Sequence, residues 1–173
     1  TTMGANLEMY WMGSGLFGTN GRPPMRIMHC FPILTLANAY TKTKLNPTIS
    51  QSDQVVDSKG RTKGIMETLI NPNVSDSLMF KEFINGNHIW IESLGVDADR
   101  VRGRTVDCLI VDEVQDTFKR AILNATKILA KSQYGRKGQG VQVYMGTPKS
   151  KDSVYYEMWM DSSQHNYFLH CEH

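Results

Sequence analysis

Short apolar runs alternate with amphipathic stretches along the chain, and this pattern predicts alternating strands and helices. The clearest strand is residues 106–111, which ends in the four apolar residues Cys108-Leu109-Ile110-Val111. Such a run is typical of a strand buried on both faces of a parallel sheet. Further strands are predicted at residues 25–31, 141–145 and 166–171. The pattern therefore favours an α/β fold with a mostly parallel sheet flanked by helices.

Helices are predicted between these strands from apolar positions three or four residues apart. In the first helix, Met3, Leu7 and Tyr10 are expected to face the core. The second is expected to stop before Pro47, because proline cannot donate the hydrogen bond that a continuing helix needs. The predicted spans are residues 1–11, 34–45, 114–131 (with Phe118, Ile122, Ala125 and Leu129 on the buried stripe) and 152–160.

Two segments depart from the alternation. Residues 78–94 hold two β-rich runs around Asn85-Gly86, which is a strong signal for a β-hairpin because both residues tolerate a positive φ. Residues 48–63 are rich in Ser, Asp, Gln and Lys and predict an exposed loop or insertion. Residues 64–70 are a candidate strand.

The composition narrows the class of protein only slightly. A hydrophobic content of 40% and a charged content of 21% are ordinary for a soluble globular fold. No apolar run approaches the roughly 18 residues needed to cross a bilayer, so no membrane partner is expected. A net charge of +2 permits a nucleic-acid partner without requiring one.

The strongest candidate for chemistry is the acid pair Asp112-Glu113, directly after the apolar strand. Ligands of open parallel sheets lie beyond the carboxyl ends of the strands. An aspartate there can hold Mg²⁺ while the neighbouring glutamate positions a water for attack on a γ-phosphate, the arrangement called Walker B. The competing interpretation is that both acids only cap the following helix and complement its dipole.

Two other groups of residues are weaker candidates. Gly146-Thr147-Pro148 ends the next strand and is a candidate for coupling hydrolysis to a moving segment, although a plain turn has the same composition. Arg100, Arg102 and Arg104 precede the acid-bearing strand. Arg102 and Arg104 are candidates for phosphate or DNA contacts near the nucleotide edge; the alternative is a solvated loop.

A glycine-rich phosphate-binding loop of the form G-x-x-x-x-G-K-[ST] does not occur in the chain. Such a loop opens a helix, and the chain starts with Thr1-Thr2 at the beginning of a predicted helix. We therefore expect the loop to lie just upstream, with Thr1 and Thr2 at the nucleotide and Thr1 as a hydroxyl ligand of Mg²⁺.

The last residues offer a possible metal site. His170, Cys171 and His173 lie within four residues, and Cys171 and His173 are candidate ligands of zinc. A complete zinc site needs four ligands, however, so this segment alone is a weak signal.

With these residues in place, the chain resembles the ATPase domain of the large terminase subunit of tailed bacteriophages. The resemblance lies in an ordered series of short motifs rather than in any one of them. In chain order these are Cys30-Phe31-Pro32, the hairpin Phe83-Ile84-Asn85-Gly86-Asn87-His88-Ile89, Arg102-Gly103, Asp112-Glu113, Gly146-Thr147-Pro148 and Tyr155-Tyr156-Glu157-Met158-Trp159.

The resemblance implies a P-loop NTPase fold of the RecA/ASCE type and an enzyme that hydrolyses ATP with Mg²⁺. It also implies a motor that drives double-stranded DNA into a procapsid, as a homo-oligomeric ring acting with the portal protein and the small terminase subunit in the cytoplasm of the infected bacterial host. Residues 1–173 would be part of the N-terminal ATPase domain, without the family's C-terminal nuclease domain. Without the lysine of the phosphate-binding loop, this piece alone is expected to be inactive.

Two alternatives stay open. Residues 111–116 also look like motif II of superfamily 1 and 2 helicases, although Gly146-Thr147-Pro148 fits terminases better. The other alternative is a non-catalytic DNA-binding or virion module, in which the acids serve only as helix caps.

Overall fold

A five-stranded sheet forms the centre of the fold. The computed structural model describes residues 2–74, 77–134, 140–147 and 149–162, with side chains from residue 4 onward. The strands are β1 Arg26–Phe31, β2 Gln54–Val56, β3 Thr62–Gly64, β4 Phe80–Glu82, β5 His88–Ser93, β6 Cys108–Val111 and β7 Val141–Tyr144. The sheet has the order β4-β5-β1-β6-β7, in which β5, β1, β6 and β7 are parallel and β4 is antiparallel to β5. The predicted parallel sheet with an added hairpin is therefore confirmed.

Helices cover both faces of this sheet. The α-helices are α1 Thr2–Gly13, α2 Leu34–Tyr40, α3 Asn46–Ser50, α4 Ile65–Thr68, α5 Lys119–Ala125 and α6 Val154–Met160. A π-helical turn spans Thr41–Leu45, and 3₁₀ turns span Asp99–Val101, Val114–Asp116 and Thr126–Leu129. None of the described helices has the length and apolarity that a bilayer crossing requires.

Alternate residues of the central strands divide the core into two layers. On one side, called face 1 here, Ile27, Phe31 and Ile110 pack with the buried side of α1 and with α2. On the other side, called face 2, Met28 and Val111 belong to the layer that packs against α5. The period of two in a strand forces this division, because successive side chains point to opposite faces. Asp112 continues the face 1 series beyond the end of β6.

The buried side of α1 differs from the prediction. Ala5, Glu8, Met9 and Met12 are buried, whereas Tyr10 is 59% exposed. Apolar residues occur on all sides of this helix, so their spacing does not determine which side faces inward. The buried side also contains Glu8, whereas a prediction from apolar positions places a glutamate on the exposed side.

The predicted helix end before Pro47 is wrong. After α2 the chain passes through the π turn Thr41–Leu45 and continues directly into α3, with Pro47 in its first turn. Proline is tolerated there because its missing N–H would have no partner in the first turn of a helix. The wider π turn supplies the change in hydrogen bonding that lets α3 start anew.

The polar segment 48–63 is more ordered than an exposed loop. It contains the end of α3 and the antiparallel pair β2–β3. Residues 65–68, within the candidate strand 64–70, form α4 instead. Gly64 permits a close approach here, since a Cβ atom would lie 2.4 Å from the carbonyl oxygen of Ile49.

The helix predicted over residues 114–131 is divided into a 3₁₀ turn, α5 and a second 3₁₀ turn. Ile122, Ala125 and Leu129 are buried as predicted, but Phe118 precedes α5 in extended conformation and is 59% exposed. The strands predicted at 25–31, 106–111 and 141–145 are confirmed to within two residues at each end. The strand predicted at 166–171 lies outside the described residues.

Candidate active site

The two acids lie at the carboxyl end of β6, where the chain leaves the sheet. The Asp112 N–H still donates to the carbonyl of Cys30 on β1 at 2.9 Å. Glu113 then adopts the left-handed conformation with φ 52°, which is uncommon for a residue with a side chain. Asp112 stabilises this turn by accepting the Glu113 N–H on Oδ1 at 3.0 Å. The sheet thus holds Asp112 while the turn directs Glu113 away from it.

Asp112 is almost fully buried, and its neighbours on face 1 are polar. Its Oδ2 lies 4.0 Å from Nε2 of His29, whose Nδ1 lies 2.7 Å from Glu8. Tyr40 donates its hydroxyl to the other carboxylate oxygen of Glu8 at 2.5 Å. Neither Glu8 nor His29 was predicted to have a role, because each is a single polar residue within an otherwise apolar segment.

The start of α1 lies at the same edge of the sheet. A Cβ atom on Gly4 would be 3.3 Å from Cε1 of His29 and 3.0 Å from Cε of Met145. The first turn of α1 is therefore close to the buried group around Asp112. Unpaired N–H groups at a helix start attract phosphate groups, as they do where a phosphate-binding loop opens a helix.

Glu113 faces a small cleft at this edge. The cleft has a volume of about 170 Å³ and is lined by Phe31, Leu36, Ala39, Tyr40, Thr43, Lys44 and Glu113. Gln115 donates from Nε2 to Oε2 of Glu113 at 2.5 Å. This places an amide between the glutamate and the next strand end. Sequence reasoning missed Gln115, since a polar residue in a turn carries no distinguishing signal.

Gly146 and Thr147 meet the acid pair at the end of β7. Met145 donates its N–H to the carbonyl of Val111 at 2.9 Å, so β7 stays paired with β6 up to that point. The Thr147 N–H then donates to Oε1 of Gln115 at 3.1 Å. The structure therefore brings the predicted coupling segment next to Glu113. Pro148 lies outside the described residues.

Arg102 and Arg104 are not brought together with the acid pair. Arg104 extends over face 2, where its Nη2 lies 2.8 Å from Glu92 and its guanidinium lies 5.5 Å from the ring centroid of Trp90. Asp112 is on face 1, so Arg104 and Asp112 lie on opposite faces of the sheet, although Glu92 is in register with Cys30 and Val111 near the carboxyl edge. Arg102 is exposed and pairs with Asp99 at 3.1 Å.

Both arginines line a basic cleft beside the end of α5 and the 3₁₀ turn Thr126–Leu129. This cleft has a volume of about 510 Å³ and is lined by Arg102, Gly103, Arg104, Thr105, Asn124, Lys127, Ile128, Ala130 and Lys131. Four cationic side chains around one cleft favour an anionic partner. The prediction that Arg102 and Arg104 contact phosphate or DNA thus remains a prediction.

The acid pair suits a magnesium ion that binds together with a nucleotide rather than a metal ion held by protein side chains alone. No group of three or more His, Cys, Asp or Glu side chains that could hold a metal occurs within the described part of the chain. Mg²⁺ bound with nucleotide usually needs only one or two carboxylates, since water and phosphate oxygens complete its shell. Asp112 at the strand end can supply such a carboxylate.

The remaining predicted ligands fall at the ends of the chain. Thr1 lies outside the described residues, and Thr2 is described only as the first backbone residue of α1. Cys171 and His173 also lie outside the described residues, and nothing in the described part supports a zinc site.

A solved large terminase has a similar fold. A large terminase from a thermophilic bacteriophage superposes with a TM-score of 0.55 and 11% identity over 92% of this chain and 33% of that chain. The large terminase ATPase domain of a Thermus phage gives a TM-score of 0.48 and 14% identity over 91% of this chain and 58% of that chain. The chain thus spans about a third of the first of these chains and over half of the second. The similarity to the first confirms the P-loop NTPase fold.

No curated protein matches the sequence. The family assignment comes from the sequence itself, which matches over nearly its whole length. Residues 12–173 match the model of "Phage terminase large subunit gpA, ATPase domain", so the chain belongs to the phage terminase large subunit family.

Proposed function

We propose that this chain is the catalytic part of an ATP-driven motor that moves double-stranded DNA into a viral procapsid. The observation that carries the proposal is the position of Asp112 and Glu113 at the carboxyl end of β6, beside the start of α1 and the segment Gly146-Thr147. In an open parallel sheet this edge is where a nucleotide binds. Membership of the terminase family supports this function over the helicase and the non-catalytic alternatives.

Each acid has a separate role in this proposal. Asp112 is held by the sheet and supplies the carboxylate for Mg²⁺, which when bound neutralises charge on the β- and γ-phosphates of ATP. Glu113 orients the attacking water and accepts its proton. The water oxygen bonds to the γ-phosphorus while the bond to the β–γ bridging oxygen breaks, giving ADP and phosphate. Thr1 and Thr2 would contact the nucleotide, with the Thr1 hydroxyl as a further ligand of Mg²⁺.

The other proposed roles concern movement and partners. Gly146, Thr147 and Pro148 would pass the state of the nucleotide to a moving segment, while Arg102 and Arg104 would contact DNA phosphates. By analogy with the family, the assembled motor would be a ring of copies working with the portal protein and the small terminase subunit. It would act in the cytoplasm of the infected bacterial host.

The test is DNA-stimulated ATP hydrolysis by the complete protein and its Glu113→Gln variant. The variant keeps the size of the side chain but cannot accept the proton, so kcat should fall by about 10²- to 10⁴-fold, as for loss of a general base. Glu67→Gln is a matched control, because Glu67 lies on α4, is partly exposed and forms its ion pair with Lys63 at 3.2 Å, away from the acid pair. Turnover by Glu113→Gln at the rate of the unaltered protein would refute the catalytic role.

A further inference from the structure

Gln115 bridges the acid pair and the end of β7 through the two ends of one amide. Its Nε2 donates to Oε2 of Glu113 at 2.5 Å, and its Oε1 accepts the N–H of Thr147 at 3.1 Å. The orientation of the amide follows from its partners. A backbone N–H can only donate and a carboxylate can only accept, so the oxygen must face Thr147 and the nitrogen must face Glu113.

The surrounding backbone is shaped to fit this amide. A Cβ atom on Gly146 would lie 2.2 Å from Oε1 of Gln115, so only glycine leaves room for the bridge. Two further contacts tie the same turn to the same segment. Val114 donates its N–H to the carbonyl of Met145 at 3.0 Å, and Lys149 pairs with Asp116 at 2.5 Å. The bridge is thus part of a built contact between two loops.

We propose that Gln115 is a positioning residue that sets the place of the Glu113 carboxylate according to the position of the Gly146-Thr147 segment. When Thr147 holds the amide oxygen, the amide nitrogen is directed at Glu113. When the segment moves away, the amide is released and the Glu113 carboxylate loses the donor that fixes it. This inference rests on the proposed function of Glu113 as the group that orients water.

The coupling must act in both directions. If the position of Thr147 changes the free energy of the productive Glu113 arrangement, a change at Glu113 alters the position of Thr147 by the same free energy. The bridge therefore offers a direct physical link between hydrolysis and movement of the segment after β7. If Gln115 only stabilised the fold, a substitution of Gly146 would leave the rate of ATP hydrolysis unchanged.

Two substitutions of Gln115 test the bridge in the complete protein. Gln115→Leu keeps the size but removes both hydrogen bonds, while Gln115→Glu can still accept from Thr147 but cannot donate to Glu113. Both should lower kcat by about 10- to 100-fold, the range for losing one hydrogen bond to a charged group. The KM for ATP should stay unchanged, because the proposed role of Gln115 is to position Glu113 rather than to bind the nucleotide. Gln54→Leu is the control, since Gln54 is exposed on β2 and its side chain donates to nearby carbonyls.

A double-mutant cycle separates positioning from a merely structural role. Gly146→Ala should also lower kcat, because the added methyl group displaces the Gln115 amide. In Gln115→Ala/Gly146→Ala the methyl group no longer meets the amide, and only Val114 Cγ1 at 3.2 Å must shift by a few tenths of an ångström, so the double variant should be scarcely slower than Gln115→Ala alone. Urea unfolding of each variant ensures that the rates refer to folded protein.

The outcomes distinguish this inference from the proposed function beneath it. Two results would overturn the role of Gln115 without affecting that of Glu113. One is that the losses of kcat multiply in the cycle. The other is that Gln115→Leu turns over like the unaltered protein while Glu113→Gln is inactive. Full turnover by Glu113→Gln would remove the proposed function and the inference with it.

Discussion

The Nδ1 atom of His29 lies 2.7 Å from a carboxylate oxygen of Glu8, and both side chains are fully buried. Tyr40 donates its hydroxyl to the second oxygen of Glu8. Burial raises the pKa of Tyr40, and the charge of Glu8 raises it further, so this hydroxyl remains a donor. His29 in turn lies 4.0 Å from Asp112. A chain of buried polar groups therefore connects α1 and α2 to the carboxylate proposed to hold Mg²⁺.

Replacing Glu8 should weaken the fold strongly. Glu8→Gln removes the carboxylate charge and one of its two acceptor oxygens, so His29 and Tyr40 can no longer donate to separate carboxylate oxygens. Leaving a buried hydrogen-bonding group without its partner typically costs about 1–3 kcal/mol, and we expect a loss of this size in the free energy of unfolding. Urea unfolding measures it. Glu67→Gln on α4 should change stability by less than about 0.5 kcal/mol, and an equally small loss in Glu8→Gln would contradict the interpretation.

Asp107 anchors the amino end of β6 and gives a prediction about pH. Its carboxylate accepts from Nε of Arg26 at 2.8 Å and from the N–H of Gln133 at 2.7 Å. Burial alone would raise the pKa of Asp107, but the hydrogen bonds from Arg26 and Gln133 outweigh it and hold the pKa below its ordinary value of 3.8. Because the folded pKa is below the unfolded one, the stabilisation is complete above pH 3.8 and is lost as the pH falls through the folded pKa.

We therefore expect Asp107→Asn to be less stable than the unaltered protein by about 3 kcal/mol at neutral pH, since Arg26 loses its partner. The difference should shrink as the pH falls below the ordinary pKa, because protonation then removes the same interaction from the unaltered protein. Urea unfolding at successive pH values measures this difference. A difference that stays constant down to strongly acidic pH would show that the carboxylate charge is not what matters.

The sheet and its acid pair could be predicted because their signals are local. Residues Cys108 to Val111 are all apolar, which favours a strand buried on both faces, and an acid that follows such a strand lies at its carboxyl end. The hairpin at Asn85-Gly86 is equally local, since Gly86 supplies the positive φ of 80° that the turn needs. These features depend on neighbouring residues in the chain.

The parts that escaped prediction depend on residues distant in sequence. The contact between Glu8 and His29 spans 21 residues, and the contact between Gln115 and Thr147 spans 32. No periodicity marks either pair, because each is formed only once the elements have packed. The position of Arg104 on face 2 was missed for a similar reason: its nearness to Asp112 in sequence does not reveal that it crosses to Glu92.

Gly18 and Gly21 both have a left-handed backbone, but only Gly18 packs closely against another segment. Both have a positive φ, 72° and 77°, but a Cβ atom on Gly18 would lie 2.1 Å from the carbonyl oxygen of Asn85, whereas Gly21 has nothing within 4 Å. Asn85 belongs to the hairpin turn, and its side-chain amide donates to the carbonyl of Met12 near the end of α1 at 2.9 Å. The loop containing Gly18 thus packs directly against the hairpin.

We expect Gly21→Ala to lower the free energy of unfolding by about 1–2 kcal/mol through its left-handed backbone alone. Gly18→Ala should lose about 1–3 kcal/mol more, because the methyl group must displace the hairpin turn. Thermal and urea unfolding of the two variants provide the comparison. Equal losses would show that the hairpin turn yields without resistance and that the contact is not tight in solution.

The two arginines of the basic cleft should respond differently to substitution. Arg102 and its partner Asp99 are both well exposed, with side chains 58% and 71% accessible, so their ion pair contributes little to stability. Arg102 is therefore available to a DNA phosphate, and Arg102→Ala should reduce the salt dependence of DNA affinity by about one released ion without weakening the fold. Arg104→Ala should in addition destabilise the protein by about 1.5–3 kcal/mol, because Glu92 loses a charged hydrogen bond at a nearly buried position. Binding to a double-stranded oligonucleotide over a series of salt concentrations, together with urea unfolding, separates these effects. An unchanged salt slope in Arg102→Ala would reject its contact with DNA.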